Sequence, residues 1–292
     1  LDMVVGHEAA KARLRGDAEL ISEGRLEFAP MGYLICGPVG TGKTFMAECY
    51  AGSIGIPCVK LRNFRSKYVG ETEGNLEHVL TVLRSLGPVV VIIDEADAAL
   101  GTREDGGDSG TSSRVFSMIA SQMGDTRYRG KIVWMLLTSR PDRLPVDLKR
   151  QGRAEVHIPL FYPHEEAEFQ AMFTVMARKN KVALEAGAAD HMEPGNANLS
   201  GSDIESVVLT ANRLALREGH TKVTRADLDA AMDDFMPSVQ GLEREAQELA
   251  GVLECTQRSF LPPKWRKQVS KENGRIAVQE RFVAIRQILD ES

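Results

Sequence analysis

A chain of 292 residues, 43% hydrophobic and 26% charged, can bury a substantial core at an ordinary globular composition. That excludes a disordered tail, a collagen-like fibre and a disulfide-stapled miniprotein. A net charge of −5 gives no global attraction to nucleic acid or anionic membrane, which leaves only a local basic groove for either.

The longest clean apolar runs, Val89 to Ile93 and Ile132 to Leu137, fall far short of the ~20 residues that a membrane-crossing helix needs, so no membrane association is expected. The four cysteines show no CxxC spacing and no framework pattern, which fits a reducing cytoplasm. No leader pattern is visible, and the first residue is Leu1 rather than Met. The expectation is therefore an excised piece of a longer chain.

In chain order, the segment from Tyr33 to about Pro159 alternates short apolar runs with helical patterns. The fold class this predicts is α/β, a five-stranded and mainly parallel sheet between helices. The candidate strands are Tyr33–Cys36, Cys58–Leu61, Val89–Ile93, Ile132–Leu137 and Glu155–Ile158, and the third is β-branched throughout, as a strand buried on both faces should be. Gly101 to Ser113 is rich in glycine, serine and acidic residues and reads as a mobile loop just after a strand end.

Beyond Pro163 the strand signals stop. Helices are expected over Glu165–Lys179, Asp203–Glu218 and Thr224–Phe235, with Ser202 and Thr224 as N-caps. After Pro237, Leu242, Ala246, Leu249 and Leu253 share one helical face, and Ile276–Leu289 behaves alike, which reads as a separate helical hairpin. Between these lies a basic run, Lys264, Arg266, Lys267 and Lys271, read as a solvated face rather than a contact for an acidic partner. The predicted division is a large α/β unit over 1–161, a small helical lid over 162–237 and a helical extension over 238–292. No internal repeat is visible.

Gly37-Pro38-Val39-Gly40-Thr41-Gly42-Lys43-Thr44 matches GxxxxGK[ST] between a strand and a helical pattern, the context that a phosphate-binding P-loop requires. Glycines let successive backbone N–H groups converge on phosphate oxygens at a helix N-terminus, where the dipole also favours anions. Lys43 supplies a point charge for the β and γ phosphates, and the Thr44 hydroxyl is a hard oxygen ligand for Mg²⁺. The competing interpretation is a tight turn that binds nothing.

Further on, the strand Val89 to Ile93 ends in Asp94-Glu95. Two adjacent carboxylates at a buried strand end are costly unless they have partners. A metal and a water fit: Asp94 in the Mg²⁺ shell, Glu95 orienting and deprotonating the attacking water. An ordinary acidic loop start is the alternative.

These motifs resemble those of the AAA family of AAA+ ATPases, the group containing katanin, spastin and the proteasomal ATPases. GPVGTGKT looks like the family's Walker A and VVVIIDEAD its Walker B. Thr138 to Asp142 (TSRPD) is similar to TNRPD, Arg150-Gln151-Gly152-Arg153 to RPGR, and Leu199 to Ile204 (LSGSDI) to FSGADL. Val4 to Glu8 resembles the segment packed on adenine, and Ser66 to Glu71 the pore loop. The resemblance runs from about Val4 to Phe235.

It implies a hexameric ring with ATP and Mg²⁺ between subunits. Its nucleotide contacts are Val5 and Gly6, then Pro38, Val39, Gly40, Thr41, Gly42, Lys43, Thr44 and Phe45, with Asp94, Gly201 and Ser202. Arg150 and Arg153 act as arginine fingers on a neighbour's site, or else only solvate their loop. Lys67, Tyr68 and Val69 face the central channel and grip a protein substrate or an adaptor.

Two positions depart from the family pattern. Ser139 stands in place of the sensor-1 Asn and offers a shorter hydroxyl, with fewer hydrogen-bonding groups, instead of an amide, from which slow turnover is expected. Ala154-Glu155 replaces Phe-Asp. The expected function is an ATPase that remodels or threads a protein. The alternatives are a nucleotide-switched scaffold with slow hydrolysis and, counted against by the acidic charge, a nucleic-acid motor.

Overall fold

The computed structural model describes residues 1–61, 71–101, 109–194, 199–237 and 241–291. Helix α1 (Glu8–Ser22) leads into β1 (Gly32–Cys36), α2 (Lys43–Ile54), β2 (Cys58–Lys60), α3 (Glu71–Ser85), β3 (Val89–Ile93), α4 (Ala96–Leu100) and α5 (Ser109–Met123). Strand β4 (Ile132–Thr138) and β5 (Val156–Pro159) complete a sheet of order β2-β3-β4-β1-β5 in which every pairing is parallel. The predicted strands are present within a residue or so of their expected bounds.

Strands buried on both faces divide their side chains by the period of two. Tyr33 and Ile35 join Val90, Ile92 and the helices α1 and α2 in one core. Leu34 and Cys36 join Val89, Val91 and the helices α3 and α5 in the other. The P-loop, Asp94 and Ser139 then leave the carboxyl ends of β1, β3 and β4, where open parallel sheets keep their ligands.

Three helices share a separate apolar core: α6 (Glu166–Lys179), α7 (Gly201–Arg217) and α8 (Arg225–Asp233). The expected cap Ser202 lies inside the first turn of α7, and Ser200 is the N-cap instead. Its hydroxyl accepts from the Asp203 N–H at 3.1 Å while Asp203 accepts from the Ser200 N–H at 2.8 Å. Both serines have an acidic residue three positions on, but Glu205, the one after Ser202, accepts from Lys179 and Asn180 at 2.8 Å, so only Asp203 is left to complete a capping box. Thr224 caps α8 in the same way, as expected.

The expected loop from Gly101 to Ser113 is shorter than its composition implies, since helix α5 starts at Ser109; residues 102–108 lie outside the described residues. The C-terminal helices are α9 (Gly241–Glu254), α10 (Pro263–Val269) and α11 (Gly274–Glu291). They are not a separate hairpin. Phe161 shares their core, Phe260 and Cys255 pack with the α1–α2 side of the sheet, and α9 runs along β5. All four cysteines are free, and no helix among the described residues is long and apolar enough to cross a membrane.

Candidate active site

Three loops at the carboxyl edge of the sheet and the N-terminus of α7 enclose a cavity of about 610 Å³. Its floor is the turn Gly37 to Gly42, in which Gly37, Gly40 and Gly42 all have positive φ, a region that residues with a Cβ seldom enter. A Cβ on Gly37 would stand 2.2 Å from the Leu160 carbonyl oxygen, and one on Gly40 2.6 Å from the Ser200 Cβ. Only glycine fits at either point.

Lys43, in the first turn of α2, donates to the Gly37 and Pro38 carbonyls at 2.8 and 2.9 Å. Burial pushes its ammonium down to about 8, against the partial support of Cys36, Asp94 and Asp97. The next residue, Thr44, donates its hydroxyl to Asp94 Oδ2 at 2.8 Å, so the end of the P-loop and the end of β3 meet side chain to side chain. Beside them Glu95 holds a left-handed backbone (φ 49°), a conformation that costs a residue with a Cβ about 1–2 kcal/mol. Its N–H is tied to Asp94 Oδ1 at 3.0 Å.

Ser139 lines the cavity directly after β4. Its neighbour Thr138 donates to Asp97 Oδ1 at 2.5 Å and accepts from the Arg140 N–H at 2.8 Å, which fixes the strand end against α4. On the opposite wall stand Val5, Gly201 and Ser202, and the Gly201 N–H donates to the Gly40 carbonyl at 3.2 Å. Val39, Gly40, Thr41, Gly42 and Phe45 face the same space. Gly6 and Pro38 do not; Gly6 sits behind Glu168, and the Pro38 carbonyl is occupied by Thr41 and Lys43.

Arg150 and Arg153 do not reach this cavity. Both turn to Asp147, Arg150 through Nε at 2.8 Å and Arg153 through an ion pair plus a bond to the Asp147 carbonyl at 2.8 Å. Arg150 remains exposed while Arg153 is largely covered. Glu155, the departure noted in the sequence, anchors this loop by accepting from the N–H groups of Met31 and Gly152. Lys67, Tyr68 and Val69 lie outside the described residues.

Several wall residues carry no sequence signal. Met172 and Met176, four apart on α6, read as core positions of the helical unit, yet both line the cavity together with Phe161, Lys179 and Glu205. His7 lines it too, from a left-handed backbone (φ 55°) at the start of α1. Burial, with His164 and Lys11 nearby, pushes its imidazole down to about 4, so it faces the cavity uncharged.

The arrangement presents a ring of backbone N–H groups and one ammonium beside two hard oxygen donors and a carboxylate. That set is matched to a phosphate chain and a divalent cation. Residues 33–162 match the family model described as "ATPase family associated with various cellular activities (AAA)". The chain is 32% identical over 206 residues to the ATP-dependent zinc metalloprotease FtsH 3 of Sphaerobacter thermophilus, covering 70% of this chain and 42% of that protein. It is 29% identical over 236 residues to the Cell division cycle protein 48 homolog of Archaeoglobus fulgidus (75% and 32%), and 29% over 223 residues to Proteasome-activating nucleotidase 1 of Haloferax volcanii (75% and 53%). It thus spans between about a third and half the length of these relatives.

Proposed function

The chain belongs to the AAA family of ATPases, and on that premise we propose that it binds Mg-ATP in the cavity above Lys43 and hydrolyses it. The observation that carries this reading is the 2.8 Å contact of Thr44 with Asp94, which brings two oxygen donors together at the mouth of the P-loop. They fit magnesium, whose preferred partners are a hydroxyl, a carboxylate, phosphate oxygens and water. Bound there, magnesium supplies charge neutralisation of the phosphate oxygens.

In this reading the residues have separate tasks. Lys43 exchanges its two carbonyl partners for phosphate oxygens. Glu95, set apart by its strained backbone, takes a proton from the attacking water. Ser139 hydrogen-bonds that water from the opposite side. Val5 and the half-buried His7 flank the base, while Gly201 and Ser202 close the site from α7. The proposed units 1–161 and 162–237 both contribute walls, so a bound nucleotide bears on how they pack.

Arg150 and Arg153 serve the site of an adjacent copy in a ring, six-membered as the family resemblance implies. The same resemblance supports a protein substrate or adaptor gripped by Lys67, Tyr68 and Val69. The test is Glu95→Gln. We expect ATP binding to persist while turnover falls roughly 10²- to 10⁴-fold, the usual worth of a general base. Unchanged turnover overturns the role of Glu95, and turnover stimulated by DNA or RNA in a salt-sensitive way replaces the protein substrate with a nucleic acid.

A further inference from the structure

Helix α9 lies outside the stretch matched by the family model, yet it touches the P-loop, the stretch just after Ser139 and the capping box of α7. At its centre the buried Gln247 accepts the Val39 N–H at 3.0 Å through Oε1. The Val39 carbonyl accepts the Tyr162 hydroxyl at 2.9 Å. Both polar groups of Val39 are therefore held from outside the P-loop, which fixes the curvature that presents the N–H groups of the following residues to the cavity. One turn on, Gly251 packs against the P-loop's entry, its Cβ position lying 3.7 Å from the Gly37 Cα.

The two ends of the helix reach the other loops. Near the N-terminus, Gln247 Nε2 donates to Glu243 at 3.3 Å, and Glu243 accepts two bonds of 3.1 Å from Arg286 of α11. The Arg140 guanidinium, one residue past Ser139, comes within 3.9 Å of the same carboxylate. Arg244 pairs with Asp203 in the capping box of α7 and lies 5.5 Å from the Tyr162 ring centroid. At the C-terminus, Glu254 accepts from Lys149 at 3.0 Å, immediately before Arg150, and its carbonyl accepts from His157 Nδ1 at 3.0 Å.

We infer that α9 is a positioning strut of the nucleotide site, with Gln247 as the residue that sets the P-loop through Val39. The inference rests on the nucleotide reading above. A loop that must close around phosphates gains affinity when its bound shape is already held in the free protein. A buried polar network can do this where its members hold one another, as Val39, Gln247, Glu243 and the two terminal nitrogens of Arg286 do, although Arg286 Nε has no partner among the described residues. Neither Gln247 nor Glu243 lines the cavity, so Gln247 acts through the Val39 backbone it holds and Glu243 through Gln247.

The experiment is titration of the whole chain with a fluorescent methylanthraniloyl-ATP, with a thermal melt recorded for each variant. Gln247→Leu and Gln247→Asn, the first lacking the acceptor and the second too short to reach, should raise Kd about threefold to tenfold, the worth of one hydrogen bond. Gln247→Glu keeps an acceptor for the Val39 N–H but puts a carboxylate where Nε2 donates to Glu243, so it is made together with Glu243→Gln, and this double variant should stay within about twofold of the wild type. Arg281→Ala, which removes only the exposed pair with Glu245 on the same helices, should leave Kd unchanged.

Wild-type affinity in the leucine and asparagine variants overturns the strut. So does a Kd that merely follows Tm across all four variants, since that is packing rather than positioning. If the leucine variant does not fold, the asparagine variant decides alone. A wild-type chain that binds no nucleotide overturns the reading beneath the strut, and that result is seen before any variant is compared.

Discussion

The P-loop with the end of β3 and the loop from Asp147 to Arg153 carry the two kinds of charge that phosphoryl transfer uses, and they are built in opposite ways. In the first, Lys43 and Thr44 at the start of α2 and Asp94 and Glu95 at the end of β3 are brought within one cavity by two strands of the same sheet, β1 and β3. In the second, two arginines share one aspartate on an outer surface, and neither lines that cavity. The charge of Arg150, held by an exposed ion pair, is available at little cost, since such pairs are worth at most about 1 kcal/mol, whereas Arg153 is largely covered and is held by a second bond to the Asp147 carbonyl. On the proposed reading, the first half of the machinery is complete within the chain, whereas the second would exchange Asp147 for a phosphate of a neighbour's site.

The sharpest way to break that contrast is Arg150→Ala. Supplied to a neighbour's site, this arginine should be worth roughly 10³-fold in kcat, with nucleotide Kd little changed. Mixing Arg150→Ala with Glu95→Gln subunits should restore part of the activity, because some sites then combine an intact carboxylate with an intact arginine. Steady-state assays of the mixture at constant total protein check this. No recovery places the arginine's effect inside its own subunit and dissolves the contrast.

Next in size is Lys43, where the expected effect is on binding. Lys43→Ala should raise the Kd for ATP roughly 10- to 100-fold, as loss of hydrogen bonds to a charged group does. Its pH dependence sharpens the point. Burial lowers the ammonium to about 8, so it is charged below that pH and neutral above it. A triphosphate favours the charged form. Affinity should therefore be highest below pH 7 and fall about fivefold between pH 8 and 9 as the proton is lost, while the alanine variant stays flat over that interval. Titrations at several pH values separate the two.

The two regions also differ in how much of them could be read from the amino acids. The β-branched run of β3 announces a buried strand and the spacing of the P-loop a strand–turn–helix, whereas the meeting of Thr44 with Asp94, 50 positions apart, is legible only because both residue types suit one Mg²⁺. The arginines are legible as residues but not as an arrangement, because their common partner Asp147 is one acidic residue among many. Helix α9 shows the limit most clearly. Its apolar positions mark a helix with one buried face, and Ala246 and Leu249 are buried, although Leu242 is partly exposed. Nothing local tells that Gln247 meets a backbone N–H 208 positions earlier. Polar contacts across that separation are set by tertiary packing, and the same holds for Met172 and Met176, whose spacing describes a helix face without saying what the face meets.

The smallest expected effect concerns Ser139, which stands where the family pattern has an asparagine. The strand end beneath it is already fixed, with the Thr138 hydroxyl between Asp97 and the Arg140 N–H, so a longer side chain at Ser139 changes reach without moving the backbone. Ser139 borders the cavity rather than the packed core, so an amide has room to extend toward Glu95. Ser139→Asn should then add up to one hydrogen bond to the attacking water and raise kcat roughly two- to fivefold, with Kd unchanged. Single-turnover hydrolysis at saturating ATP measures that step apart from product release. A fall in rate instead would show that the hydroxyl is matched to this site, and that slow turnover is not the consequence of a shortened side chain.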